Sequence, residues 1–319
     1  MVSDQWPEKA DDWPLQTMYR TSVIIRHTFL ESILQPIYPL LLALGAAILA
    51  IFALLPFFTL GEDTVMFKSV GLDVILLLVL IVTLFATSRS IFDEIEDRTM
   101  LTLMSKPVRR WEVLVGKYLG IITSALVAVA VLGGILILCT WARIPGDYQI
   151  RASTVDEREQ RQLLEMQLMH ISGLIPSLLL MWLQISVLAA VGVALSTRFS
   201  LVVNLPVVII VYIAGNLTRF LYAAGGNPLE DRSVLVRGFA YVISLILPYL
   251  ETFDLRQKTV YSTIRLSGTM YANDLLGVTM GEIWMNTAVA ALYAAAYAAF
   301  ALAAGMWLFQ SRELGGAEG

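Results

Sequence analysis

A dense group of ionisable side chains lies in IFDEIEDRTMLTLMSKPVRRWEVLVGKYLG, residues 91–120, which includes Asp93, Glu94, Glu96, Asp97, Arg98, Lys106, Arg109, Arg110 and Lys117. Carboxylates and cations at this density could cradle a phosphate, hold a metal or form an ionic docking surface. A phosphate-binding loop needs Gly-x-x-x-x-Gly-Lys followed by Ser or Thr, so that backbone amides and the lysine surround the phosphates. Here Gly116–Lys117 is followed by Tyr118, and Trp111 stands where the first glycine belongs. Any ATP hydrolysis is therefore expected on another chain. Catalysis or metal binding would need a nucleophile with its base, or a ligand set. His27 and His170 are the two histidines, and we read neither as having a carboxylate or cysteine at ligand spacing. No enzyme site, bound cofactor or metal is expected on this chain. Cys139 is the single cysteine and lies in an apolar run, so it reads as a small hydrophobe with no disulfide partner in the chain. What remains is an ionic docking surface, or basic residues that only fix orientation beside solvated acidic ones.

The elements that must present this surface are membrane spans. Of the 319 residues, 57% are hydrophobic and 15% charged, and mean hydropathy is +0.72. Soluble domains average about 25% charged residues. A net charge of −4 without a concentrated basic surface excludes a nucleic-acid partner. The acidic start, MVSDQWPEKADDW, has no apolar core of a signal peptide. Crossing about 30 Å of hydrocarbon takes about 20 apolar residues. Six charge-free intervals come near that length: 32–61, 74–88 with extensions to Leu72 and Phe92, 118–142, 171–197, 199–218 and 283–311. Ionisable residues are expected to be absent from deep within these spans, and Lys68 is assigned to a loop. Gln184, Asn204, Asn216 and Asn286 are expected to hydrogen-bond between helices, and Pro206 to kink its span. The interval 238–250 is too short to cross and reads as re-entrant or interfacial.

The expected fold is an all-α polytopic membrane protein: a single transmembrane domain, 1–319, with six spans and both termini on one side. Lysine and arginine are evenly divided between the two sides. Discounting the long 219–282 segment leaves an excess on the side of the termini and the 89–117 loop, which is therefore assigned to the cytoplasm. Residues 1–35 form an N-terminal interfacial helix, with Leu15, Met18, Tyr19, Ile25, Phe29, Leu30 and Ile33 on its apolar face. Segments 141–172 and 219–282 lie outside. Thr154–Glu157 has capping-box spacing, Glu157 and Arg161 form an i,i+4 pair, and Gly225–Pro228 is a turn. The Ala-rich last span suits close helix packing.

Within the loop, Pro107 breaks a helix continued from the second span, and Trp111, Leu114, Val115 and Tyr118 recur at helical spacing into the third. The result is a projection, acidic on its first arm and basic on its second. The order of residues resembles the cytoplasmic signature of type-2 ABC exporter permeases: an acidic pair, a Gly-Thr or similar, a leucine-rich turn ending Ser-x-Pro-Val, an arginine, and Gly-Lys opening the third span. Glu94, Glu96, Thr99, Leu103, Ser105, Pro107, Val108, Arg109 or Arg110, Gly116 and Lys117 match, while Arg98 replaces the glycine of many members. ALSTRFS at 194–200 is similar to the family's turn between spans four and five, and LPYLETFDL at 247–255 to its outer segment after span five. The resemblance implies the membrane subunit of an exporter in the inner, or cytoplasmic, membrane. It would pair with a second permease chain, identical or not, and dock a cytoplasmic ATPase that carries ATP and Mg. The ATPase contact would comprise Glu94, Glu96, Arg98, Thr99, Ser105, Lys106, Pro107, Arg109, Arg110, Gly116 and Lys117. A secondary transporter or a membrane scaffold for a cytoplasmic partner are the competing readings.

Overall fold

A computed structural model describes residues 13–55, 63–91, 109–147, 157–217 and 247–310 apart from 267, 270 and 271. The elements are α1 (Trp13–Leu34), α2 (Ile37–Leu54), α3 (Asp63–Ser90), α4 (Arg110–Asp147), α5 (Glu157–Ser172), α6 (Leu174–Ser196), α7 (Leu201–Leu217), a 3-10 turn (Leu250–Phe253), α8 (Arg256–Thr259), β1 (Ile264–Arg265), β2 (Val278–Thr279) and α9 (Met280–Gln310). The strands form one short parallel pair, Ile264 against Val278 and Arg265 against Thr279. Among the described residues, five helical stretches are long and apolar enough to cross a membrane: α2, α3, α4, the α5–α6 stretch and α9. The chain is a helical, multi-pass membrane protein. At 17 residues, about 25 Å of helix, α7 falls short of the length that defines the other five.

Helices that are apolar all round belong in the middle of a bundle, and those with one packed stripe at its edge. Of the apolar stretches of α3 and α5–α6, 67% and 78% are buried within the chain, against 17% for α2 and 33% for α9. The centre is therefore α3 and α6, with α4 beside them. Phe67, Ile75, Leu132, Leu136, Leu174 and Ile185 form one part of the core. Ile91, Leu114, Ile121, Val193 and Phe309 form another, toward the end where the charged loop attaches.

Association of helices in lipid depends on close backbone approach, which small residues permit. Along α9, Ala290, Ala294, Ala298 and Ala301 are all buried, and a Cβ on Gly305 would sit 2.7 Å from the Ala194 Cα of α6. This agrees with the close packing expected of the Ala-rich last span. Asn204 of α7 donates to the Gly192 carbonyl of α6 at 2.9 Å, the interhelical bond expected of it. Asn216 instead donates to Tyr212 within its own helix, and α7 continues as a helix through Pro206.

Three further expectations are corrected. First, α3 starts at Asp63 and not near residue 72, so Lys68 and Asp73 stand on a spanning helix. A search for charge-free intervals stops at the first charge, whereas the backbone ladder continues through any charge that has a partner. Lys68 is 2% exposed, with its Nζ 3.0 Å from His170 Nδ1. The N-terminal helix leaves Met18, Tyr19 and Leu30 exposed, and Thr28 and Ser32 are its buried residues. That face packs on α4, where small polar side chains admit close approach. Second, Glu31 does stand at helical spacing from His27, its carboxylate 3.9 Å from the ring in an exposed pair. Third, the Glu157–Arg161 pair is absent among the described contacts, both side chains being exposed at the start of α5.

Candidate coupling site at the base of the charged loop

The start of α4, the ends of α3 and α9, and the α6–α7 turn converge at one end of the bundle. Arg109 precedes α4, and its backbone N–H donates to Glu112 Oε2 at 3.1 Å. A glutamate at the third helical position thus reaches back to cap the helix start, half of the reciprocal capping box. Glu112 is 1% exposed, so this bond satisfies an otherwise orphaned donor out of reach of water.

Two cations of the basic arm point into the bundle. Arg110 Nη1 donates to the Phe309 carbonyl at 2.9 Å, and its guanidinium lies over the Phe309 ring, 5.3 Å from the centroid. Lys117, 3% exposed, donates to the Ser90 carbonyl at the end of α3. From the α6–α7 turn, Arg198 Nε donates to the Leu308 carbonyl at 3.1 Å. Each reaches the C-terminal end of a helix, where unbonded carbonyls carry partial negative charge and favour a cation. The last turn of α9 is thereby joined to α4 and to the α6–α7 turn, and the last turn of α3 to α4.

Gly116 has a packing role. A Cβ there would lie 2.7 Å from Ile24 Cγ2 of α1, and one on Gly120 would lie 2.7 Å from Thr28 Cβ and 2.8 Å from the Ile25 carbonyl oxygen. Gly116 and Gly120 are four apart on one face of α4 and let α1 lie directly against it. The expected apolar face at the start of α4 is only part of the packing: Leu114 and Tyr118 are buried, Trp111 is 40% exposed.

Of the residues expected to contact an ATPase, the structure thus brings Arg109, Arg110, Gly116 and Lys117 together at the loop's base. Glu94, Glu96, Arg98, Thr99, Ser105, Lys106 and Pro107 lie outside the described residues, as do Thr154, the 225–228 turn and most of the 238–250 interval. Sequence reading missed Glu112, although a glutamate three residues after a helix start is a legible capping signal. It also left Arg198 as an orientation signal; nothing in the sequence shows that the carbonyls of α9 would be its partner.

The opposite end of the bundle is held differently. Arg143 Nε lies 2.9 Å from Asp147 Oδ2 and Nη2 lies 3.7 Å from Asp63 Oδ2. The same guanidinium donates to the carbonyls of Phe52 and Leu55 at the end of α2, at 3.1 and 2.9 Å. Arg256 pairs with Asp73 at 2.6 Å, and Lys258 with Glu282 at 2.5 Å.

A bundle of long apolar helices, one end of it capped by cations, defines a multi-pass membrane protein. A family model described as "ABC-2 family transporter protein" matches residues 18–314, and the chain belongs to that family of permeases. No curated protein matches the sequence.

Proposed function

We infer that this chain is the permease subunit of an ATP-powered exporter, acting as a dimer with a separately encoded cytoplasmic ATPase. Six spans, with α7 as the short fifth, would place both termini and residues 89–117 in the cytoplasm and segments 141–172 and 219–282 outside. In this reading the acidic and basic arms of 92–108 engage the ATPase, and Ser105, Lys106 and Pro107 form the inserted tip.

The observation that supports this most is the wiring at the loop's base. Arg110 and Lys117, at the foot of the basic arm, are bonded to the last turns of α9 and α3. A displacement of the arm would therefore be carried into α4, α3 and α9 together instead of being absorbed by a slack connection. Such contiguous bonded elements are what mechanical coupling requires. Catalysis plays no part in this role, and the energy enters from the partner.

The reading is tested by expressing the chain with the ATPase encoded beside it and purifying through a tag on the permease. The wild-type chain should retain the ATPase and Lys106→Glu should lose it while still inserting in the membrane. Equal retention by both removes the loop from the docking surface.

A further inference from the structure

A cavity of about 170 Å³ lies among α3, α6, α7 and the 250–256 turn, at the end of the bundle opposite the charged loop. Its lining includes Asp73, Asp254 and Arg256, and it reaches Gln184. Leu174 opens α6, so Gln184 stands about 15 Å along that helix. Gln184 is 7% exposed, and among the described residues nothing hydrogen-bonds its amide. The amide lines the cavity and is not sealed in the core, so its donor and acceptor are open to an occupant. Leu72, Leu76, Met181 and Phe253 supply apolar wall.

The charges select the class of occupant. Arg256 Nη1 lies 2.6 Å from Asp73, the Asp254 carboxylate lies 3.7 Å from Arg256 Nε, and Asp254 Oδ1 also accepts the Arg256 backbone N–H at 3.2 Å. Two carboxylates face one guanidinium, leaving one negative charge in excess among the described lining residues. Deeper in, Gln184 offers both an acceptor and a donor. An engineered apolar cavity of about 150 Å³ accepts benzene, so the volume suits a group of several heavy atoms.

We propose that this cavity binds a small amino alcohol, its ammonium held by the Asp73–Asp254 carboxylates and its hydroxyl by the Gln184 amide. The ligand is either a free amine or the ethanolamine headgroup of a lipid; both present the same chemistry. The site stands independently of coupling to an ATPase, since it needs only the folded chain.

The test is a thermal melt of the purified chain in phosphatidylglycerol nanodiscs, titrated with ethanolamine hydrochloride, with ethylene glycol plus sodium chloride as the control. Ethanolamine should raise the melting temperature saturably and the control should not. Asp254→Asn and Gln184→Leu should each shift the titration midpoint upward at least tenfold while melting like wild type without ligand. In discs that also contain phosphatidylethanolamine, a further upward shift of the wild-type midpoint assigns the site to the headgroup, and an unchanged midpoint assigns it to the free amine. Equal stabilisation by ethylene glycol, no stabilisation by ethanolamine, or wild-type midpoints in both variants would overturn the proposal. If a variant fails to fold, the wild-type comparison of ethanolamine with ethylene glycol still decides it.

Discussion

The two ends of this bundle are both fastened by cations, yet with different main partners. At the end carrying the charged loop, Arg110, Lys117 and Arg198 donate to the terminal carbonyls of α9 and α3. At the other end, Arg143, Arg256 and Lys258 pair with carboxylates of their own chain, Arg143 donating as well to the last carbonyls of α2. A carbonyl at a helix terminus is a partial charge that holds a cation with less energy than a full carboxylate does. The ion-paired end is thus suited to staying shut as a scaffold. The carbonyl-capped end can exchange partners at lower cost, which suits an end that is pushed.

The comparison can be broken most severely at the loop's tip. Lys106→Glu should abolish retention of the companion ATPase outright, measured by co-purification, without reducing the amount of chain in the membrane. The next largest effect belongs to the scaffold end. Arg143→Ala leaves Asp63, Asp147 and the α2 carbonyls without their cation, and breaking a buried pair in this way costs about 3–5 kcal/mol. Chemical denaturation in detergent should show that loss. Gly120→Leu forces a side chain into space held by Thr28 and the Ile25 carbonyl. Overpacking of this kind costs about 1–3 kcal/mol, and disulfide trapping between cysteines placed on α1 and α4 should weaken accordingly. Smallest of all is Lys258→Ala, whose pair with Glu282 has side chains 36% and 49% exposed; it should cost under about 1 kcal/mol and less still at high salt.

Much of the fold was legible because lipid requires long apolar helices, and α2, α4, α6 and α9 follow the charge-free intervals. The start of α3 was not legible. Lys68 read as a loop residue by charge alone, and only the fold shows His170 arriving beside it. For the same reason Gln184 read as an interhelical hydrogen bonder: partner and cavity look identical along a sequence. At the loop, the residue types marked Gly116 and Lys117 as part of a contact with an ATPase, whereas what the fold shows of them is packing within the chain. Their packing partners, Ile24 and the Ser90 carbonyl, come from distant helices and leave no local trace. The N-terminal helix was expected from its periodicity, but its contact with α4 was not, because the partner surface is a pair of glycines, which favours small side chains such as Thr28 over large apolar ones.

The central claim is that the base of the loop transmits ATPase motion, beyond merely holding the ATPase. It is tested most directly by ATP hydrolysis in nanodiscs containing the chain with its companion ATPase. Arg110→Ala, which removes the bond to α9 but leaves the tip intact, should retain the ATPase while losing the stimulation that the wild-type chain gives. Undiminished stimulation in Arg110→Ala, with the ATPase still bound, would contradict the account.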